Sequence, residues 1–139
     1  MKRGYGTSFI KLAGIMEKLL SPEGCPWDRK QNHKTLLKHM YSEAREVELA
    51  VKKKDWANLQ EELGDLLLQV VFHAELARRA GRFDLEDVVR GICDKLVRRH
   101  PHVFGGKKLK TAKQVLSQWD EIKRAEKAGK MKKISRRKK

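Results

Sequence analysis

Four acidic residues are spaced so that two neighbouring helices would bring their carboxylates together. Glu43 and Glu46 are three residues apart in one predicted helix, and Glu62 and Asp65 repeat this spacing in the next. Residues three apart share a helix face. Glu43 and Glu62 also fall in line with apolar residues of their helices. The carboxylates therefore point toward the predicted core, where ionised groups are costly unless a positive charge accompanies them.

A divalent cation is the simplest partner for such a cluster, because no lysine or arginine occupies a matching position on the same helix faces. Mg²⁺ prefers oxygen ligands and bridges protein carboxylates to substrate phosphates, and Mn²⁺ can take its place. The chemistry predicted is metal-assisted attack of water on phosphorus. The same spacing also fits two arrangements without a metal. The acids can belong to a solvated surface balanced by the lysines at 52–54, or they can pair with Arg98 and Arg99.

Helical patterns dominate the chain, and strand patterns are nearly absent. Apolar spacing and end signals predict a helix ending near residue 20, a loop over 21–33, and helices over about 35–54, 56–80, 85–99 and 111–128. Asp55 and Asp84 are predicted N-caps, and Gly81 a helix end. The turn between the second and third helices is too short for anything but antiparallel neighbours. We therefore expect an all-α protein with an antiparallel four-helix-bundle-like core.

The third predicted helix is apolar on nearly every side after Gly64. Such a helix is buried on every side. Four or five helices can surround it only partly, so we expect the rest of its surface to meet a second subunit, giving a homodimer through the central helices. His73 in this helix is predicted to be a core or interface histidine.

The composition is that of one soluble domain. The 139 residues are 40% hydrophobic and 37% charged, which excludes collagen-like, mucin-like and wholly disordered classes. No run approaches the ~18 apolar residues that a membrane-spanning helix needs. Cys25 and Cys93 provide no disulfide framework, so we expect a cytoplasmic protein with no membrane partner.

The positive charge is concentrated toward the C-terminus. Residues 1–106 hold 19 basic and 15 acidic side chains, whereas residues 107–139 hold 14 basic and 3 acidic ones, a net charge of +11. We expect a helical domain over 1–128 and a basic, disordered tail over 129–139. Such a tail predicts salt-sensitive binding to nucleic-acid backbones. A role in solubility or localisation, with no partner, is the alternative.

Three stretches of the chain resemble the MazG family of nucleoside triphosphate pyrophosphohydrolases. They are GCPWD at 24–28, EELGDLLLQVVFHA at 61–74 and DKLVRRHPHVFG at 94–105, and WDEIK at 119–123 fits the closing segment of the same family. The resemblance covers about residues 8–127. It implies an all-α dimer that uses Mg²⁺ to split a nucleoside triphosphate into a monophosphate and pyrophosphate.

The resemblance also implies which acids act. The family's metal motif is a pair of adjacent glutamates, a third glutamate further on, and a downstream Glu-x-x-Asp. By this likeness Glu43, Glu46, Glu62 and Asp65 are the Mg²⁺ ligands, and Glu43 or Glu46 accepts the proton of the attacking water. Ser42 stands where the family has the first glutamate. The alternative function is therefore a catalytically weak or inactive module that binds nucleotide or nucleic acid.

Five further residues match positions in the family's motifs and are candidates for substrate contact. Lys95, Arg98 and Arg99 correspond to residues that contact the nucleotide phosphates, and their spacing places them close together on the fourth helix. An ordinary basic helix end gives the same pattern. Trp27 and Trp119 occupy motif positions, where a tryptophan either stacks on a base or anchors packing.

Overall fold

The computed structural model of this protein describes residues 4–137, with side chains described up to residue 129. Within that part of the chain every regular element is a helix: α1 (Tyr5–Leu19), α2 (Pro26–Arg29), α3 (His33–Lys53), α4 (Trp56–Arg79), α5 (Leu85–Arg99), α6 (Pro101–Phe104) and α7 (Ala112–Arg137). The prediction of an all-α protein is confirmed. None of the described helices is long and apolar enough to cross a membrane.

The helices belong to two compact units. The first extends to Val88 and holds α1 to α4 with the beginning of α5, and the second begins at Val89 and holds the rest of α5 with α6 and α7. The acids of the predicted metal site belong to the first unit. The predicted phosphate-binding residues belong to the second.

The ends of α3 and α4 explain why these helices are antiparallel neighbours. Lys54 closes α3 in the left-handed conformation, with φ of 55°. Asp55 then begins α4, because its side chain accepts a hydrogen bond from the backbone N–H of Asn58 at 3.2 Å. A connection this short turns the chain back on itself, and α3 and α4 pack against each other as predicted.

Local side chains also set the other helix ends. Asn32 and Thr35 form a reciprocal cap of 2.8 and 2.9 Å, so α3 begins at His33, slightly earlier than predicted. The backbone N–H of Asp87 donates to Asp84 at 2.9 Å, which confirms the predicted start of α5.

Two short helices and a longer last helix depart from the sequence pattern. Prolines at the first position of α2 and of α6 fix a helical φ, so each segment forms one helical turn. The first lies inside the predicted loop over 21–33, and the second lies where no element was predicted. The α7 backbone continues past residue 128, the predicted end of the last helix, to Arg137. The side chains of the predicted tail from residue 130 onward lie outside the described residues.

The core of the first unit lies between α1, α3 and α4. Its buried members are Met16, Leu20, Leu36, Val71 and Phe72. The opposite face of α4 is apolar but exposed, as expected for a helix that its own chain surrounds only partly.

Met16→Ala is expected to destabilise the protein by about 2–5 kcal/mol, because Met16 is 1% exposed and its loss leaves a cavity in the core. Urea denaturation followed by circular dichroism measures this change. Ile15→Ala is the control, since the neighbouring Ile15 is 46% exposed. Equal losses for the two variants would contradict this description of the core.

Candidate metal centre

Three carboxylates meet between α3 and α4. Glu43 comes from α3, Glu62 and Asp65 come from α4, and one oxygen of each lies within 4.8 Å of the others. The spacing of three residues places both α4 acids on one face, and the antiparallel α3 brings Glu43 opposite them. All three side chains are half-buried. The helix pair therefore gathers three of the four predicted ligands.

The acids disturb one another's ionisation. The pKa of Glu62 is raised from 4.5 to about 7, first by a hydrogen bond with the Glu43 carboxyl, which exists only while the two groups share a proton. Burial and the negative charges of Glu43, Asp65 and Glu46 raise it further. The cluster therefore does not fully ionise at neutral pH without a positive partner.

The donor set suits a hard divalent cation. Glu43 Oε2 is buried and has no hydrogen-bond partner among the described residues. Within the same part of the chain, no ion pair joins a lysine or arginine to any of the three acids. Carboxylate oxygens are the ligands that Mg²⁺ and Mn²⁺ prefer. The cluster therefore has the chemistry of a metal site.

The lysines at 52–54, Arg98 and Arg99 were the residues that could have balanced the acids without a metal. Three of these five residues form ion pairs with other glutamates. Lys52 pairs with Glu48 at 2.7 Å on the exposed side of α3. Arg98 and Arg99 both bind Glu126 within the second unit. Neither pairing involves the clustered acids.

Glu46 and Ser42 lie apart from the three clustered acids. Glu46 is half-buried and outside the group, yet its charge is close enough to raise the pKa of Glu62. Ser42 is exposed and lines an open groove beside Lys38. Successive residues of a helix are rotated by about 100°, so Ser42 faces a different direction from Glu43. The three-acid cluster forms without the glutamate that the resemblance places at residue 42.

A cavity of about 190 Å³ adjoins the cluster in the first unit. Glu43 is part of its wall, together with Trp27 of α2 and His39 of α3. Trp27 is 54% exposed, and its ring meets the His39 ring edge-on at 5.7 Å between centroids. Core residues form an apolar floor. Trp27, one of the two tryptophans at the motif positions, therefore lines the same cavity as Glu43.

Gln69 of α4 also lines this cavity, although its place in the sequence did not predict a role. The only signal was a glutamine inside the apolar run of α4. Gln69 is 7% exposed, and its Oε1 has no hydrogen-bond partner among the described residues.

The predicted phosphate-binding residues lie on α5 in the second unit. Lys95 is exposed. Arg98 Nε donates to Glu126 Oε1 at 2.6 Å, and Arg99 Nη2 donates to Glu126 Oε2 at 3.0 Å. These hydrogen bonds, with Arg99 contributing most, lower the pKa of Glu126 from 4.5 to about 2. The two arginines therefore hold one carboxylate between them.

Trp119 and His73 have packing contacts within their own units. The indole N–H of Trp119 donates to the backbone carbonyl of Arg99 at 2.7 Å, and its ring meets His100 edge-on at 5.3 Å. These are packing contacts, and base stacking by Trp119 stays a prediction. His73 is half-buried, and its Nδ1 lies 2.7 Å from Nδ1 of His33.

Glu126 is expected to titrate far below an ordinary glutamate, with a pKa near 2, because both arginines favour its ionised form. Because this pKa is lower in the folded protein than in the unfolded chain, ionised Glu126 stabilises the fold. The stabilisation is complete above about pH 4.5 and is lost as the pH falls through the pKa of the folded protein. Carboxyl NMR shifts across an acid titration measure this. Replacing Arg98 and Arg99 by Met should return the titration toward 4.5. An unchanged midpoint would contradict the described pairing.

Comparison with known proteins gives a consistent set of matches. Residues 31–104 match the MazG nucleotide pyrophosphohydrolase domain. The nucleoside triphosphate pyrophosphohydrolase/pyrophosphatase MazG of Thermotoga maritima is 52% identical over 125 residues, which cover 90% of this chain and 48% of that protein. The nucleoside triphosphate pyrophosphohydrolase of Escherichia coli strain K12 is 46% identical over 121 residues, which cover 86% and 46%. This chain thus spans about half the length of the curated relatives it matches.

A solved structure also matches this fold. The crystal structure of a mazG-related protein from Thermotoga maritima superposes with a TM-score of 0.70 at 36% sequence identity. The match covers 82% of this chain and 97% of that one. The likeness therefore extends over nearly the whole of the crystallised protein.

Proposed function

Because this chain belongs to the MazG family, we propose that it is a Mg²⁺-dependent nucleoside triphosphate pyrophosphohydrolase. The reaction converts a ribo- or deoxyribonucleoside triphosphate and water into the monophosphate and pyrophosphate. The observation that carries this proposal is the cluster of three carboxylates between α3 and α4, which lies within the matched residues 31–104. The three carboxylates repel one another when all are ionised, and a divalent cation would remove this repulsion.

Glu43, Glu62 and Asp65 would hold the ion, and Mn²⁺ would be able to replace Mg²⁺. Bound metal supplies charge neutralisation at the triphosphate and an activated water. Glu46, the fourth predicted ligand, lies outside the group but near it. We assign it as the acceptor of the proton that the attacking water loses, since Glu43 is engaged as a ligand.

Lys95, Arg98 and Arg99 are proposed to bind the phosphate chain. Arg98 and Arg99 already hold an anionic group through two charge-assisted hydrogen bonds. Phosphate oxygens satisfy the same donors, so a triphosphate would replace Glu126 at the arginines. Trp27, exposed beside the cavity, is proposed as the aromatic contact of the base, in preference to Trp119.

A homodimer through the central helices is also proposed. Leu63, Leu67 and Val70 lie on one face of α4 and are 48%, 40% and 40% exposed, which is unusual for an apolar helix stripe in a folded monomer. A cytoplasmic location is proposed because Cys25 and Cys93 are unpaired thiols, as is usual in a reducing compartment.

The function is tested by incubating the purified protein with standard and damaged nucleoside triphosphates and Mg²⁺, then separating pyrophosphate from orthophosphate. Pyrophosphate and monophosphate in equal amounts, lost on chelation, are the expected result. Orthophosphate as the main product, or no product across the panel, would overturn the proposal.

A second candidate function is binding of nucleic acid without hydrolysis, and the net charge of +11 over residues 107–139 favours it. Backbone-driven binding falls steeply with salt. Fluorescence anisotropy of a labelled oligonucleotide, at several salt concentrations, measures this dependence. Binding that survives deletion of residues 129–139 unchanged would exclude a role for the tail.

A further inference from the structure

We propose that Glu126 competes with the substrate's phosphate chain for Arg98 and Arg99, and that this competition lowers the affinity of the site for polyphosphates. The inference rests on the proposed function, because the ligand that displaces Glu126 is the phosphate chain of a nucleotide. It concerns the control of binding by a carboxylate of the same chain, which the assignment of the arginines to phosphate does not determine.

Glu126 occupies the arginines in the way that an incoming phosphate would. Each of its oxygens accepts from a different guanidinium group: Arg98 Nε donates to Oε1 at 2.6 Å, and Arg99 Nη2 donates to Oε2 at 3.0 Å. Carboxylates and phosphates both present oxygens that match the fixed fork of guanidinium donors. The two anions therefore exclude each other from these donors.

The carboxylate leaves one arginine donor unused. Arg99 Nε is buried and has no hydrogen-bond partner among the described residues. Nε and Nη2 lie along one edge of the planar guanidinium group, but Glu126 accepts only from Nη2 on this edge. A terminal phosphate group has three acceptor oxygens, so it can accept from both donors of Arg99 and from Arg98. It would satisfy the arginines more completely than Glu126 does.

A ligand in solution can reach this contact. The side chains of Arg98, Arg99 and Glu126 are 52%, 23% and 19% exposed. Lys95 is exposed and precedes Arg99 by four residues on α5, which is about one helical turn. These residues bring three positive charges to one end of α5, and Glu126 brings one negative charge to them. Ion pairs that are open to solvent are weak, so a polyphosphate with more negative charge can displace the carboxylate.

The strength of the competition depends on the fraction of molecules in which the arginines are free. A ligand that binds only this fraction has an apparent Kd raised by the reciprocal of the fraction. Glu126 is part of the same chain, so its carboxylate is always present at a high effective concentration. Hydrogen bonds between charged groups are strong enough to keep the paired form in about tenfold excess. We therefore expect Glu126 to weaken polyphosphate binding by about tenfold.

Glu126→Gln tests the competition directly, because glutamine keeps the side-chain length and one acceptor oxygen but removes the charge. Isotope-labelled protein is titrated with inorganic pyrophosphate in the presence of a chelator, and NMR signals of the arginine Nε–H groups report binding without metal. The variant should bind pyrophosphate about tenfold more tightly than the wild type. Unchanged or weaker binding would overturn the proposal, and weaker binding would show that Glu126 holds the arginines in place for the ligand.

Glu121→Gln is the matched control, because Glu121 is an exposed glutamate of the same helix and forms no ion pair among the described residues. Its affinity for pyrophosphate should stay within about twofold of the wild type, since salt screens exposed charges. An equal gain in Glu121→Gln would show a general effect of charge and would overturn the proposal. Circular dichroism establishes that each variant keeps its helices.

A double-mutant cycle shows whether Glu126 acts through the arginines. In protein with Arg98 and Arg99 replaced by Met, Glu126→Gln should no longer change the affinity for pyrophosphate. A gain in affinity that persists without the two arginines would overturn the proposal. Absence of pyrophosphate binding in both the wild type and Glu126→Gln would overturn it as well.

The pyrophosphate titration does not depend on turnover. Absence of pyrophosphate release from nucleoside triphosphates would overturn the proposed function, while the titration would still test Glu126. If the protein is a hydrolase, Glu126→Gln should lower KM by about tenfold without raising kcat, because the arginines become free for substrate and transition state alike. Hydrolysis with an unchanged or raised KM in this variant would overturn the role of Glu126 and leave the hydrolase assignment standing.

Discussion

Glu62→Gln and Asp65→Asn are each expected to abolish both Mg²⁺ binding and pyrophosphate release. Each change removes one ionised oxygen ligand from a group of three. Loss of a group that merely orients a metal ligand costs 10–100-fold, so loss of a ligand is expected to lower kcat/KM by at least about 100-fold. Calorimetry with Mg²⁺ or Mn²⁺ and a pyrophosphate-release assay measure the two effects on the same preparations.

Two further glutamates make this experiment specific. Glu61→Gln is the control, because Glu61 is an exposed neighbour of Glu62 and lies outside the group of three. Glu46→Gln should retain Mg²⁺ binding and lose about 10²–10⁴-fold in turnover, as expected for a proton acceptor that is not a ligand. If Glu62→Gln and Asp65→Asn both keep metal affinity and turnover, the cluster is not the active site.

The elements that position the acids could be predicted because their ends depend on local chemistry. Asp55 and Asp84 each accept a backbone hydrogen bond from a residue three further on, as N-caps do. Gly81 has φ of 72°, a conformation that glycine adopts without strain at the end of a helix. With α3 and α4 fixed in this way, the short turn between them dictated that their acids face one another.

Which of the four acids form the cluster could not be predicted, because this depends on the directions of the side chains between α3 and α4. A spacing of three residues places Glu43 and Glu46 on one face, but only Glu43 reaches the α4 acids within 4.8 Å. Gln69 was hidden for a similar reason. A single glutamine in an apolar run is ordinary in sequence, and only its burial beside a cavity distinguishes it.

The pairing of Arg98 and Arg99 shows the same limit. Their partner Glu126 is 28 residues from Arg98 and 27 from Arg99 along the chain, a separation for which helix periodicity gives no rule. Two basic residues near the end of a helix predicted that an anion binds there, but not whether it belongs to a ligand or to a side chain of the same protein. The structure supplies a carboxylate of the same chain, which a phosphate must displace if the proposed function holds.

The stabilisation of the protein by Mg²⁺ is expected to increase as the pH rises from about 5.5 to about 8. Glu62 has a pKa of about 7 in the metal-free fold and an ordinary value of 4.5. Folding therefore favours its protonated form. The stabilisation of the fold that comes from protonated Glu62 is complete below about pH 4.5 and is lost as the pH rises through 7. A metal ion replaces the proton as the positive partner, so its effect is largest where Glu62 would otherwise ionise beside Glu43.

Thermal unfolding in chelator and in Mg²⁺, followed by circular dichroism across this pH range, measures the effect. At pH 8 and a Mg²⁺ concentration of about 100 times Kd, Tm should rise by roughly 5–10 °C, with a smaller rise at pH 5.5. Glu62→Gln should remove both the fall in stability through pH 7 and the rise with Mg²⁺, because the amide neither titrates nor repels Glu43. A Mg²⁺ effect that is the same at both pH values would show that the ion does not compete with a proton at this cluster, and would place the metal elsewhere.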